Sequence, residues 1–337
     1  MILRAALAGV ALWLAACAPA GPHPPARVRL GIAAQQSPSQ VVTYLTFELG
    51  HFRDEGLDVR LQEFAGSSRG LEALIGGSLD VLSGYYEQTI QMAAEGRPLQ
   101  AFVTTLGSHL VALAVSPTSS RRIARIEDLR GATVGVTTLG SATHHFLNFL
   151  LARAGLRPDE VRPIAIGTAS RAVAAIGHGR VDAGIITGFT VSHLEKRFGK
   201  VVVLADTRTE AGVRETYGVD RYPSTVLCAT TAWVRRNPAT ARRLARAILR
   251  TLAWIRRRSP EEVVARLPES FHGEHPAILL ETIRGAIPLL VADGRMPASG
   301  PEAARRVLAA SLEKVRTASV DLSATYTNAF VAGISTF

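Results

Sequence analysis

Cysteine is almost absent from this 337-residue chain, which has only Cys17 and Cys228. No disulfide framework can be built on so few. Metal-ligand spacing is missing as well: no Cys-x2-Cys, His-x3-His or His-Glu-x2-His run occurs. His144 and His145 do not supply one, because adjacent residues on a helix point about 100° apart. No metal and no cofactor are expected. Lysine is scarce too: Lys196, Lys200 and Lys314 are the only three among 38 basic residues, so the net charge of +10 is an arginine charge. Heavy Arg and Ala usage also follows from GC-rich coding. Aromatic residues make up 6%, too few for a basic surface interleaved with stacking rings, and no nucleic-acid partner is expected. No internal apolar run reaches the roughly 18 residues that span a bilayer.

The N-terminus is unlike the rest. In "MILRAALAGVALWLAACAPAG" one positive charge, Arg4, precedes an apolar run from Ala5 to Ala16. That is the layout of a secretory signal. The run ends in "LAAC", which resembles a bacterial lipobox, where cleavage precedes a lipidated cysteine. Residues 1–16 are therefore expected to be a lipoprotein signal peptide and Cys17 a lipid anchor. An ordinary signal peptide, or a buried cysteine, is the alternative. Residues 17–26 are Pro-rich and read as an extended tether.

Downstream lies a repeat. "ALIGGSLD" (73–80) aligns with "AIGHGRVD" (175–182), an offset of 102 residues from Asp80 to Asp182. The preceding order also matches. "RVRLGIAA" and "ATVGVTT" each read as a strand, followed by a polar loop, a helical run and a second strand. Each copy predicts strand–helix–strand–helix–strand, hence an α/β fold with mainly parallel sheets and right-handed crossovers. "SHLVALAVSP" (108–117) and "YPSTVLCATTAWV" (222–234) read as strands crossing between two lobes. The boundaries predicted are 27–111 plus 229–337 for lobe one and 112–228 for lobe two. "NPATARRLARAILRTLAWIRRR" (237–258) opens on Asn-Pro and carries an apolar face of Ala241, Leu244, Ile248, Leu252 and Ile255, so it predicts a long helix.

Ligands of open α/β sheets sit beyond the carboxyl ends of strands. The loops there supply the candidates: Gln36 and Ser37; Gly66, Ser67 and Ser68; Tyr85 and Tyr86; Gly140, Ser141 and Thr143; Thr187 and Phe189. Of the adjacent tyrosines, one is expected to face the cleft and one the core. Gly140, Ser141 and Thr143 predict a helix entrance whose free N–H groups hold an anion or carbonyl, or a capped helix that touches no ligand. Arg69 and Arg171 occupy matching places and either pair with an acidic ligand group or lie on the surface. His144 either donates to ligand or faces outward. Asp80 and Asp182 read as structural, binding local backbone.

The ordered set "GHFRDEGLDV" (50–59), "EDLRGATVGVTTLGSATH" (127–144), "GLRPDEV" (155–161) and "AAIGHGRVDAGI" (174–185) resembles the periplasmic substrate-binding proteins for nitrate, sulfonates, taurine and thiamine pyrimidine precursors. That resemblance implies a two-lobed, type II-like periplasmic-binding-protein fold with a ligand cleft between the lobes. It implies an exported, monomeric, non-enzymatic protein that serves the permease and ATPase of an ABC importer. Related folds also include pyrimidine synthases with a cysteine-rich motif, which this chain lacks, and a desulfinase with a cysteine nucleophile. Cys228 is the remaining cysteine for such a role; its apolar surroundings in "TVLCAT" favour a buried, inert thiol. A ligand-presenting sensory protein is a further alternative.

Overall fold

Val28, Leu30 and Ile32 alternate with Arg27, Arg29 and Gly31 in β1 (Ala26–Ile32), and the three apolar side chains enter the core. That alternation opens the first of two similar sheets. The computed structural model describes residues 25–272 and 276–334. The signal segment, Cys17 and residues 18–24 of the tether lie outside them.

The first sheet contains β1, β2 (Leu57–Glu63), β3 (Val81–Tyr85), β4 (Leu99–Thr104) and, from much later in the chain, β10 (Thr225–Thr230), in the order β2-β1-β3-β10-β4. The second contains β5 (Val111–Val115), β6 (Thr133–Val136), β7 (Arg162–Ala165), β8 (Ala183–Thr187) and β9 (Val203–Asp206), in the order β7-β6-β8-β5-β9. The orders are equivalent. In each, one strand from a crossing connection, β10 or β5, runs antiparallel to both of its neighbours. Helices connect the parallel strands, so the fold is the two-lobed α/β architecture of periplasmic binding proteins.

Hydrogen bonding moves both lobe boundaries. Val111, assigned to lobe one by the sequence reading, pairs with Thr187 in the second sheet. Thr225–Cys228, assigned to lobe two, pair with Tyr85–Leu82 in the first. A strand belongs to the sheet that satisfies its backbone, so the crossings are the stretches 105–110 and 218–224. They also pair with each other: Tyr222 N–H donates to the Gly107 carbonyl at 3.0 Å, and Ser224 N–H to Leu106 at 3.0 Å.

The repeated aspartates do matching work. Asp80 Oδ2 accepts the Arg29 N–H at 2.8 Å, and Asp182 Oδ2 accepts the Thr133 N–H at 2.9 Å. Each carboxylate, just ahead of the last strand of its copy, fixes the strand that opens that copy. The helix Pro238–Arg256 carries the expected face, with Ala241, Leu244, Ile248, Leu252 and Ile255 all buried. Its arginines are partly engaged: Arg246 pairs with Glu55 and Arg250 with Asp54. Among the described residues, no helix is long and apolar enough to cross a membrane.

Candidate functional site

The carboxyl ends of both sets of parallel strands meet, and a small cavity is enclosed between them. It is lined by Ala34, Ser37, Ser67 and Tyr85 from lobe one, by Val111, Thr137, Ala142, Thr143 and Thr168 from lobe two, and by His109 from the crossing. Its volume is about 20 Å³ at water centres, room for about one water. A solute of several heavy atoms enters only when the lobes part.

The local structure follows from loop chemistry. Three helices begin at this cavity: Ser67–Ile75, Ala142–Arg153 and Ala169–Gly177. Each turns toward the cavity the positive end of its dipole and first-turn N–H groups that have no partner within the helix. Hydroxyls fill the gaps between them. Ser37 Oγ lies 2.9 Å from Ser39 Oγ, which lies 2.9 Å from the Tyr85 hydroxyl. Across the cleft, Thr137 Oγ1 sits 3.0 Å from Ser141 Oγ and 2.9 Å from Thr143 Oγ1, and Thr143 Oγ1 accepts the Thr137 N–H at 2.9 Å. Burial raises the Tyr85 pKa, so its hydroxyl stays protonated and able to donate. Among the described residues, no arginine, lysine or carboxylate lines the cavity. What it offers is N–H and O–H donors, suited to a neutral polar group or a single small anion.

The lobes touch at the cavity rim. The Ala142 N–H donates to Ser67 Oγ at 3.2 Å, Ser68 Oγ lies 2.8 Å from Thr138 Oγ1, and Thr168 Oγ1 donates to the Gln35 carbonyl at 3.5 Å. Gly66 is required by that closeness: a Cβ there would stand 2.5 Å from Thr138 Oγ1 and 2.7 Å from Thr138 Cγ2.

Of the sequence-predicted residues, Ser37, Ser67, Tyr85 and Thr143 line the cavity. Gly66 and Ser68 stand at the rim. Gln36 adopts φ 54 and its N–H reaches the Tyr44 hydroxyl at 3.4 Å. Gly140 and Ser141 are not in the lining. Gly140 takes φ 73 to turn the chain, and its N–H is spent on His144 Nδ1 at 3.0 Å. Ser141 supports Thr137 and Thr143 from behind. Tyr86 leaves the site: it is fully buried and its hydroxyl lies 2.6 Å from Thr325 Oγ1. Thr187 closes β8 and Phe189 lies in the first turn of the helix Gly188–Phe198. Arg69 pairs on the surface with Glu72 at 3.0 Å. Arg171 borders a separate, outer depression with His178 and Arg180. Among the described residues no group of three or more metal-ligating side chains is gathered around His144 and His145 or elsewhere.

Sequence reasoning missed His109, Thr137 and Thr168. Thr137 and Thr168 follow strands, the signal used for their neighbours. His109 sits in an apolar run that reads as strand, and only the crossing geometry brings it to the cleft floor. Beneath the cavity, His109 Nε2 lies 3.0 Å from Glu87 Oε1 and His109 Nδ1 lies 2.6 Å from the Tyr217 hydroxyl. Cys228 is buried on β10 away from the cavity, and burial pushes its thiol up to about 12; it is protonated and unreactive.

A family model described as NMT1/THI5 like matches residues 37–263, about two-thirds of the chain. The chain belongs to the NMT1/THI5-like family. A protein of known structure from Bordetella bronchiseptica RB50 is 33% identical, with a TM-score of 0.87 over 91% of this chain and 96% of that one. The alkanesulfonate-binding protein SsuA from Xanthomonas axonopodis pv. citri, bound to MOPS, gives a TM-score of 0.69 at 18% identity, covering 90% of this chain and 99% of that one. The periplasmic nitrate-binding protein NrtA from Synechocystis PCC 6803 gives 0.68 at 12% identity, covering 91% and 87%. No curated protein matches the sequence. This NMT1/THI5-like chain thus shares the binding-protein fold with both of the latter.

Proposed function

We propose that this chain is an exported solute-binding protein. It captures a small polar or anionic organic molecule between its lobes and delivers it to the permease and ATPase of an ABC importer. The observation that carries this reading is the cavity itself, a ring of hydroxyls and helix N-termini contributed by both lobes. The binding activities named for the alkanesulfonate and nitrate proteins of the same fold support it. Ser37, Ser67, Tyr85, Thr137, Thr143 and Thr168 supply the donors, the protein works as a monomer, and lipidated Cys17 holds it at the membrane.

A thermal-shift screen of sulfonates, carboxylates, nitrate and pyrimidines tests the reading. A ligand at a hundred times its dissociation constant adds about 2.7 kcal/mol of stability. Ser67→Ala should weaken a hit by about fivefold to tenfold, the worth of one buried hydrogen bond. Robust turnover of a hit by the purified protein, or binding untouched by Ser67→Ala and Thr143→Val together, refutes it. Cys17→Ala should release the protein from membranes; wild-type protein without lipid label, found wholly in the soluble fraction, removes the anchor from the proposal.

A further inference from the structure

Glu87, His109 and Tyr217 come from three different parts of the fold. Glu87 opens the helix Glu87–Ala94 that follows β3 in lobe one. His109 lies in the outgoing crossing. Tyr217 ends the helix Glu210–Tyr217 that follows β9 in lobe two, and its ring packs at 5.9 Å from Phe146 and 6.0 Å from Phe149 of that lobe. His109 bonds to both, and Glu87 and His109 are 0% and 3% exposed. A carboxylate has only acceptor sites, so the hydrogen of the Glu87 bond sits on Nε2. The Tyr217 hydroxyl, kept protonated by burial, completes the ring at Nδ1. The return crossing closes the cluster: the Tyr222 ring stacks on Tyr217 at 4.1 Å and meets His109 at 4.8 Å.

We propose that Glu87, His109 and Tyr217 form a latch that holds the two lobes closed, with His109 the positioning residue that carries cavity occupancy to the hinge. The inference rests on the lobes moving as the proposed capture requires. His109 lines the cavity with its ring while both of its nitrogens are turned to the latch. A solute that presses on the ring therefore acts on the bonds that join the lobes. The latch is built to release. Glu87 Oε2 is buried with no hydrogen-bond partner among the described residues. Closure leaves that oxygen dry, and opening returns it to water, so the charge term opposes the bonds that hold the lobes together. Leu110, next to His109, takes φ 53, a conformation unfavourable for a leucine and found where a hinge is over-determined by its surroundings.

The test is the inter-lobe distance without any solute. Nitroxide labels on the full chain at Glu72→Cys and Ala174→Cys, both exposed and on corresponding helices of the two lobes, report it by double electron–electron resonance in a Cys17→Ala background. Buried Cys228 stays unlabelled. Tyr217→Phe should raise the open-to-closed ratio about fivefold, the worth of one hydrogen bond. Glu87→Gln keeps an amide oxygen that accepts from Nε2 and removes the dry charge, so it should leave the ratio unchanged or lower it. Tyr86→Phe is the control, because it deletes a buried hydroxyl bonded at 2.6 Å within one lobe. It should lower the melting temperature and leave the distances unchanged. Distances unchanged in folded Tyr217→Phe, or shifted equally by Tyr86→Phe, overturn the latch. The solute screen is independent of this outcome: lobes that open in the variants with no hit in the screen preserve the latch and refute the capture reading, and the reverse result does the opposite.

Discussion

His145 offers the sharpest energetic test of the packing behind the cleft. It is 3% exposed in the helix Ala142–Arg153, and neither ring nitrogen has a hydrogen-bond partner among the described residues. Burial lowers its pKa from 6.5 to about 4. The folded chain therefore holds it neutral, while the unfolded chain protonates it near its ordinary value. At pH 7 both states are neutral and the shift contributes nothing. As pH falls below 6.5 the unfolded state gains a proton that the folded state refuses, so stability declines until pH reaches about 4. Between pH 7 and pH 5 the loss from this residue is about 2 kcal/mol. His145→Leu removes the titration and leaves no dry polar atom, so the variant should lose about 2 kcal/mol less over that interval. Urea unfolding of both proteins at pH 7 and pH 5 measures it, and other titrating groups cancel in the difference. If wild type and variant lose the same stability, His145 is solvated or hydrogen-bonded in solution, and the burial argument is wrong.

Three further expectations follow from named contacts. Cys228 should react with a thiol reagent only when the chain unfolds, since it is buried and its thiol is pushed up to about 12; rapid labelling under native conditions contradicts this. Gly66→Ala should widen the cleft, because the new Cβ meets Thr138 at 2.5 Å, and Thr138→Ala should restore closure in part; small-angle scattering that shows no change in radius of gyration rejects the steric account. Asp182→Asn should cost about 1 kcal/mol of unfolding free energy, through the weakened bonds to Thr133 N–H and Ser119 Oγ, with Asp80→Asn behaving alike through Arg29; a loss at one site and none at the other breaks the equivalence of the two copies.

The repeat was legible because its signals are local. The Gly-x-Leu/Val-Asp pattern marks a helix end, a turn and a strand start, and Asp80 and Asp182 perform the same bond in both lobes. The cleft loops were legible for a similar reason: Ser37, Ser67, Tyr85 and Thr143 each follow a strand's carboxyl end. What escaped was decided at long range. Alternation along β3 cannot say which of Tyr85 and Tyr86 meets the cleft; packing against Thr325, far along the chain, takes Tyr86 away. The helix entrance at 140–143 was expected to offer its free N–H groups, yet Gly140 donates to His144, and Ala142 to Ser67 of the other lobe. His109 was invisible because a crossing strand and a cleft floor have the same apolar signature. The lobe boundaries slipped because the strand-like runs overshoot the crossings they contain.

Strand polarity also fixes the side from which the chain enters lobe one. The carboxyl end of β1 leads into the cleft loop, and its first residue, Ala26, lies at the opposite edge of the sheet after seven residues, about 20 Å away. Whatever precedes Pro25 thus attaches behind lobe one and not beside the opening. Under the proposed lipid anchor, attachment there would leave the mouth turned outward, so the molecule would stay fastened at its base while its rim meets either the surrounding fluid or a partner.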